Sequence, residues 1–154
     1  MSDQLSFTLR QATPDDLDEI MALESATFGS DAWSADSMSS ELGSEHTYYL
    51  LALHGTEFAG YAGLLAPLGS GDGDIQTIAV SPFARRQGLG RLLMEALIEE
   101  AETRGASQVF LEVRADNPTA RALYDDLGFA MIAVRPKYYQ PDGVDAQVMR
   151  LELP

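Results

Sequence analysis

The sequence predicts one domain of the mixed α/β class, spanning residues 1–154, with helices packed on a mixed β-sheet. Its length of 154 residues suits a single domain that buries a sizeable core. Short runs of alternating apolar and polar residues are typical of strands, and other segments carry apolar residues at helical spacing. In the second half, strands and helices alternate, which is the order of a βαβ unit.

The first half of the chain is predicted to form a strand, two helices and a hairpin. Thr13, which precedes a proline and two aspartates, has the pattern of a helix cap, and Ser34 has the pattern of a second cap. The hairpin turns at Gly55 and Thr56. The predicted elements are a strand over 5–11, helices over 14–26 and 34–43, and strands over 47–54 and 57–66.

The second half is predicted to hold two helices between four strands, after a loop over 67–74 that is too short to divide domains. Each helix is followed by a glycine, Gly105 or Gly128, which favours a helix end. Asn117 precedes a proline and is expected to cap the second helix. The predicted elements are strands over 74–80 and 107–115, helices over 88–104 and 117–127, and strands over 129–139 and 144–153.

The composition excludes several classes of protein. The formal net charge of −14 argues against a nucleic-acid-binding protein, and it would either attract a cationic partner or only keep the chain soluble. Without cysteine the chain has no disulfide, no thiolate metal site and no cysteine nucleophile. His46 and His54 have no ligand pattern around them, so we expect no metal. Neither a membrane span nor a signal peptide is predicted, so we expect a cytoplasmic protein without membrane contact.

The stretch RRQGLGRLLMEAL, residues 85–97, begins a helix in an unusual way. Helices normally start with a polar cap and an acidic first turn, whereas this one starts with glycines and arginines. Gly88 and Gly90 would let the backbone approach a phosphate at the helix N-terminus. A Walker motif is excluded because no Gly-Lys-Ser/Thr follows, and Leu93 replaces the third glycine of a dinucleotide fingerprint. The remaining interpretations are a shorter phosphate-binding turn and an unusual helix start with surface arginines.

Two segments of the chain carry a resemblance to a known family. They are IAVSPFARRQGLGRLLMEALIEEAETRG and LEVRADNPTARALYDDLGF, and the similarity is strong over residues 75–129. The chain resembles the GNAT family of acetyl-CoA-dependent N-acetyltransferases, and within it the RimI-type ribosomal-protein-alanine N-acetyltransferases. The resemblance implies a mostly antiparallel sheet, acetyl-CoA as co-substrate, no metal, and a monomer or weak dimer. It implies transfer to a protein N-terminus, and we expect the acceptor to be the N-terminal alanine of a small-subunit ribosomal protein. Because the chain has no cysteine to carry the acetyl group and neither histidine lies in the matched segments, we expect direct attack in a ternary complex.

The resemblance assigns the coenzyme A site to the same helix start. In the family, the turn would hold the pyrophosphate, and the strand before it would pair its backbone with the two amides of the pantetheine arm. Asn117 would add a further contact to coenzyme A. The implied pyrophosphate residues are Arg86, Gln87, Gly88, Leu89, Gly90 and Arg91, and the implied strand residues are Ile78, Ala79 and Val80.

The catalytic residues that the resemblance implies are Glu112 and Tyr124. From the residues alone, Glu112 is a solvent-facing strand residue and Tyr124 is a packed helix residue. The resemblance makes Glu112 the general base for an α-ammonium whose pKa is about 7.7–8.0. Glutamate normally titrates near 4.3, so this role needs either burial or a relaying water. Tyr124 would protonate the departing thiolate of coenzyme A.

The acceptor site is implied to include Trp33, Tyr138 and Tyr139. A protein α-amine is the first interpretation of the acceptor. The alternatives are acetylation of a small-molecule amine or a lysine side chain, and a non-catalytic module that only binds acetyl-CoA.

Overall fold

The computed structural model describes residues 5–154, which form one seven-stranded sheet with helices on both faces. The strands are β1 (Thr8–Gln11), β2 (Thr47–His54), β3 (Glu57–Leu65), β4 (Asp72–Val80), β5 (Gln108–Arg114), β6 (Ala130–Tyr139) and β7 (Val144–Glu152). The helices are α1 (Leu17–Phe28), α2 (Ala35–Leu42), α3 (Leu89–Thr103) and α4 (Pro118–Asp126). The predicted order of elements is confirmed.

The sheet runs in the order β1-β2-β3-β4-β5-β7-β6. All neighbouring strands are antiparallel except β4 and β5, which are parallel and joined by the α3 crossover. Their pairing is short, extending from Asp72 opposite Gln108 to Asp74 opposite Phe110. No further pair joins them among residues 5–154, so the two strands separate. We call the space between their carboxyl-terminal halves the β4–β5 opening.

A bulge in β4 accompanies this separation. Gly63 pairs with Thr77 and Leu64 pairs with Ile75, which leaves Gln76 without an opposite residue on β3. An extra residue in one strand bends that strand and increases its twist. The bulge lies directly before the half of β4 that borders the β4–β5 opening.

Two apolar cores fill the two faces of the sheet. Helices α1 and α2 pack on one face, with Ile20 and Met38 fully buried beside Tyr61 of β3. Helix α3 packs on the other face, where its buried stripe includes Leu93 and Leu97. Strand side chains alternate between the two cores, as the period of a β-strand requires.

The structure corrects two predicted strand bounds. The first strand begins at Thr8 instead of Leu5, because Thr8 pairs with Leu53 and β2 ends one residue later. Strand β4 begins at Asp72, two residues earlier than predicted, because this end of the strand pairs with β5. Within residues 5–154, no helix is long and apolar enough to cross a membrane.

Candidate active site

The free edge of β4 faces the β4–β5 opening. The backbone N–H of Ser81 donates to the carbonyl of Ala59 at 2.8 Å, which sets the phase of the antiparallel ladder. In that phase the backbone groups of Ala79 point to β3, and those of Ile78 and Val80 point into the opening. The Nε–H of Arg85 donates a hydrogen bond to the Val80 carbonyl at 3.1 Å. The Ile78 backbone is therefore the first pairing position that the opening offers to an amide-containing ligand.

Helix α3 begins without a side-chain cap. Gly88 occupies the cap position with φ of 79°, a left-handed conformation that glycine adopts without steric cost. The first helical bond to its carbonyl comes from the N–H of Leu92, at 3.1 Å. The N–H groups of Leu89, Gly90 and Arg91 precede that bond and have no acceptor within the helix. No acidic residue occupies the first turn, so the positive end of the helix dipole is uncompensated.

The arginines of this turn differ in their contacts. Arg86 also has a left-handed backbone, with φ of 62°, and forms no hydrogen bond or ion pair within residues 5–154. Arg91 is paired with Asp126 of α4. The side chain of Gln87 accepts a hydrogen bond from the Leu5 N–H at 3.0 Å. Within residues 5–154, Arg86 is therefore the arginine of the turn whose guanidinium has no contact to give up to an incoming anion.

Glu112 lies on β5 beside the last strands of the sheet. Its carboxylate pairs with the guanidinium of Arg135 on β6 at 2.9 Å, and the side chain is 30% exposed. The neighbours Leu111 and Val113 point into the core, as the strand alternation predicts. The structure does not bury Glu112, so burial does not supply the environment that a general base at this position would need.

Tyr124 lies on α4 and is 7% exposed, with its ring packed edge-on against Phe129 at 6.1 Å. Burial raises its pKa to about 12. Within residues 5–154, its hydroxyl has no hydrogen-bond partner. The hydroxyl is therefore protonated at neutral pH and has its proton free to donate. Asn117 caps α4 as predicted, because its side-chain oxygen accepts from the Ala120 N–H at 3.2 Å.

A cleft of about 470 Å³ lies where the end of α1 meets the ends of β5 and the β6–β7 turn. Arg114 binds the carboxylates of Asp31 at 2.5 Å, Asp116 at 3.0 Å and Asp142 at 3.1 Å. These ion pairs join three loops that are distant in sequence. Sequence reasoning missed this cluster, since nothing in the local patterns around the aspartates signals that they meet. The excess of carboxylates makes the cleft acidic.

The three predicted acceptor residues lie around this region. The ring of Tyr139 lies under the Arg114 guanidinium at 5.1 Å, and burial together with the charge of Glu112 raises its pKa to about 12. Tyr138 is exposed beneath Arg135 at 5.3 Å. Trp33 follows the turn that lines the cleft, and its side chain is half-buried against the α1–α2 core. Arg135 thus links Glu112 to Tyr138, whose ring packs edge-on against that of Tyr139.

The family model for the acetyltransferase (GNAT) family matches residues 17–129. The chain belongs to the GNAT acetyltransferase family. This confirms the resemblance, the fold class and the expected enzyme class. Among residues 5–154, no group of three or more histidine or acidic side chains is placed to hold a metal ion.

Individual proteins of the family show which of its members this chain resembles. The chain is 36% identical over 146 residues to the N-alpha-acetyltransferase RimI of Mycobacterium tuberculosis, covering 93% of this chain and 90% of that protein. The crystal structure of the ribosomal-protein-S18-alanine N-acetyltransferase from Escherichia coli superposes with a TM-score of 0.85 and 34% identity, covering 96% of this chain and 94% of that chain. An uncharacterized protein of Mycobacterium leprae, ML0378, is 40% identical over 143 residues, which are 91% of this chain but 39% of that longer protein.

Proposed function

We propose that this GNAT enzyme transfers the acetyl group of acetyl-CoA to the N-terminal α-amine of a protein. The acceptor is the N-terminal alanine of a small-subunit ribosomal protein, as the name of the Escherichia coli relative indicates. The observation that carries the proposal is the β4–β5 opening, which ends at the uncapped N-terminus of α3. The free edge of β4 offers backbone amides to a ligand in this space, and the N-terminus of α3 offers an anion site.

Coenzyme A matches these two features in chemical type. Its pyrophosphate is an anion that the free N–H groups of α3 and the guanidinium of Arg86 would bind. Arg91 would add a second guanidinium by exchanging Asp126 for the pyrophosphate. The pantetheine amides would pair with the backbone of Ile78 and, where Arg85 releases it, of Val80. The backbone groups of Ala79 face β3, so Ala79 would not pair with the pantetheine arm itself and would only separate the two residues that do.

The reaction removes two protons from the acceptor nitrogen and supplies one to the departing thiolate, so one proton is released overall. Glu112, acting through a water, would take the proton from the α-ammonium, and the neutral amine would attack the thioester carbonyl. A C–N bond forms and the C–S bond breaks, so the acetyl group moves directly between the two substrates. The departing thiolate would take its proton from the Tyr124 hydroxyl, which burial keeps protonated. The second proton of the acceptor nitrogen, lost as the amide forms, would restore the Tyr124 hydroxyl. Without cysteine in the chain, no thiol carries the acetyl group, and the transfer takes place in a ternary complex.

The acidic cleft favours a second candidate function, the acetylation of a small polyamine. A small polyamine would also be attracted by the carboxylates of Asp31 and Asp142, and its acetylation needs the same donor site.

A competition between amines distinguishes the two functions. The acceptors are a peptide with an N-terminal alanine and one internal lysine, the same peptide with a blocked N-terminus, and spermidine. We expect faster transfer to the α-amine, because an α-ammonium loses its proton roughly 2–3 pK units more readily than a lysine ammonium. Mass spectrometry locates the acetyl group. Faster acetylation of lysine or spermidine contradicts the proposed acceptor.

A further inference from the structure

A buried carboxyl group joins three elements at the back of the site. Glu24 of α1 is 1% exposed, and its oxygens accept from the backbone N–H of Trp33 at 3.0 Å and the Thr77 hydroxyl at 2.9 Å. The Tyr61 hydroxyl donates a third hydrogen bond to it. Burial raises the pKa of Tyr61, so this hydroxyl remains a donor. Glu24 therefore binds one loop and two strands at the same time.

The cost of burying Glu24 indicates a specific role. A buried carboxyl group is expensive unless its oxygens are satisfied, and an apolar residue often serves stability as well or better. Glu24 forms no ion pair within residues 5–154, so hydrogen bonds alone compensate its burial. The proposed proton transfers do not use it. Its three partners are consequently the best guide to what it does.

Those partners border both substrate regions. Trp33 ends the turn of residues 29–33, which we call the acceptor loop because Gly29, Ser30 and Asp31 line the cleft. Thr77 lies between the Gln76 bulge and Ile78, whose backbone faces the β4–β5 opening. One side chain thus spans from the acceptor loop to the strand that would hold the pantetheine arm.

We propose that Glu24 is a positioning residue that fixes the acceptor loop against β4 and so aligns the acceptor amine with the acetyl group. The inference rests on the proposed function. Transfer requires the amine and the thioester carbon to meet at close range, and a misplacement of about 1 Å can cost about 10²-fold in rate. Glu24 acts through the Trp33 backbone, and it is not a catalytic residue.

A neighbouring anchor supplies a matched control. The Tyr49 hydroxyl, also buried, donates to the side chain of Gln76 at 2.7 Å, and Gln76 donates to Glu41 of α2 at 3.2 Å. This second anchor ties the bulge of β4 to α2 and does not contact the acceptor loop. Tyr49→Phe therefore removes a buried hydrogen bond of the same core and leaves the Trp33 contact intact.

The test compares Glu24→Ala, Glu24→Gln and Tyr49→Phe. Glutamine keeps a carbonyl oxygen that can accept from Trp33, so Glu24→Gln is the conservative variant. We expect Glu24→Ala to lower kcat/KM for the peptide by about 10²-fold and to leave the Kd of acetyl-CoA unchanged. Glu24→Gln should recover most of the loss. Hydrogen exchange should show faster exchange of the Trp33 amide in Glu24→Ala and not in Tyr49→Phe.

The outcomes separate this proposal from the function on which it rests. If the Trp33 amide of Glu24→Ala exchanges faster but the peptide kcat/KM is unchanged, the positioning role is overturned. An equal loss of peptide kcat/KM in Tyr49→Phe also overturns it. A Trp33 amide that stays protected in Glu24→Ala overturns it as well. If Glu24→Ala fails to fold, Glu24→Met takes its place, because methionine fills a similar volume and its side chain has no oxygen to accept from the Trp33 N–H. An unchanged peptide kcat/KM in that variant has the same result. A wild-type chain that acetylates no α-amine overturns the proposed function, and the positioning role with it.

Discussion

Replacing Glu112 with glutamine is expected to lower the rate of acetyl transfer to an α-amine by about 10²–10⁴-fold at neutral pH, the usual range for losing a general base. Glutamine keeps the shape of the side chain and cannot accept the proton. The loss is largest below the α-ammonium pKa of about 7.7–8.0, where the acceptor arrives charged. It shrinks as the pH rises, because a neutral amine needs no base before it attacks. Initial rates measured across this pH range test the prediction.

The matched control for this variant is Glu152→Gln on β7. Glu152, like Glu112, is a strand carboxylate paired with an arginine, Arg150, at 3.1 Å, and it lies outside the site. Its replacement should leave the rate and its pH dependence unchanged. Near-normal turnover of Glu112→Gln at every pH, in a folded protein, would remove Glu112 from the reaction, and the same result for Tyr124→Phe as well would show that positioning alone carries it.

Replacing Tyr124 with phenylalanine is also expected to lower turnover by about 10²–10⁴-fold, because the thiolate would lose its proposed proton donor. Phenylalanine keeps the ring that packs against Phe129, so the fold and the affinity for acetyl-CoA are retained. Burial raises the pKa of Tyr124 to about 12, so this donor stays protonated through the alkaline range in which the amine becomes neutral. The loss should therefore persist as the pH rises, unlike that of Glu112→Gln.

Tyr48→Phe is the control for the missing hydroxyl. Tyr48 is a half-buried tyrosine of β2 that contacts Arg104 and lies away from the proposed site. This control should turn over normally. A Tyr124→Phe variant with the turnover of the Tyr48→Phe control would remove Tyr124 from the reaction and assign thiolate protonation to solvent.

The elements of this fold were predictable from the sequence because each carries its own local signals. Ser34 caps α2 as predicted, Thr13 caps the short 3₁₀ turn of Pro14–Asp16 that leads into α1, and Gly88 begins α3 without a side-chain cap. These residues act on the backbone within a few positions of themselves. The glycine–arginine turn was predictable for the same reason, since an uncapped helix start is visible in the chain order alone.

The geometry of the site was less predictable because it depends on contacts between distant segments. The bulge at Gln76 exists only relative to β3, and the β4–β5 opening exists only once pairing stops after Asp74. The spacing of Glu24 matches the apolar stripe of α1, so its buried hydrogen bonds have no local signature. Arg114 meets Asp142 only when β6 and β7 fold back beside β5.

Binding of coenzyme A tests most directly whether the uncapped α3 turn is the donor site. Calorimetry compares coenzyme A with pantetheine, which lacks the pyrophosphate, on the wild-type chain and on Arg86→Gln and Arg91→Gln. Arg150→Gln is the control that removes the same charge from β7. We predict that the turn variants weaken coenzyme A by about 10–100-fold, the value of a charge-assisted hydrogen bond, and leave pantetheine nearly unchanged. Equal weakening of both ligands, or none, would contradict the anion site at α3.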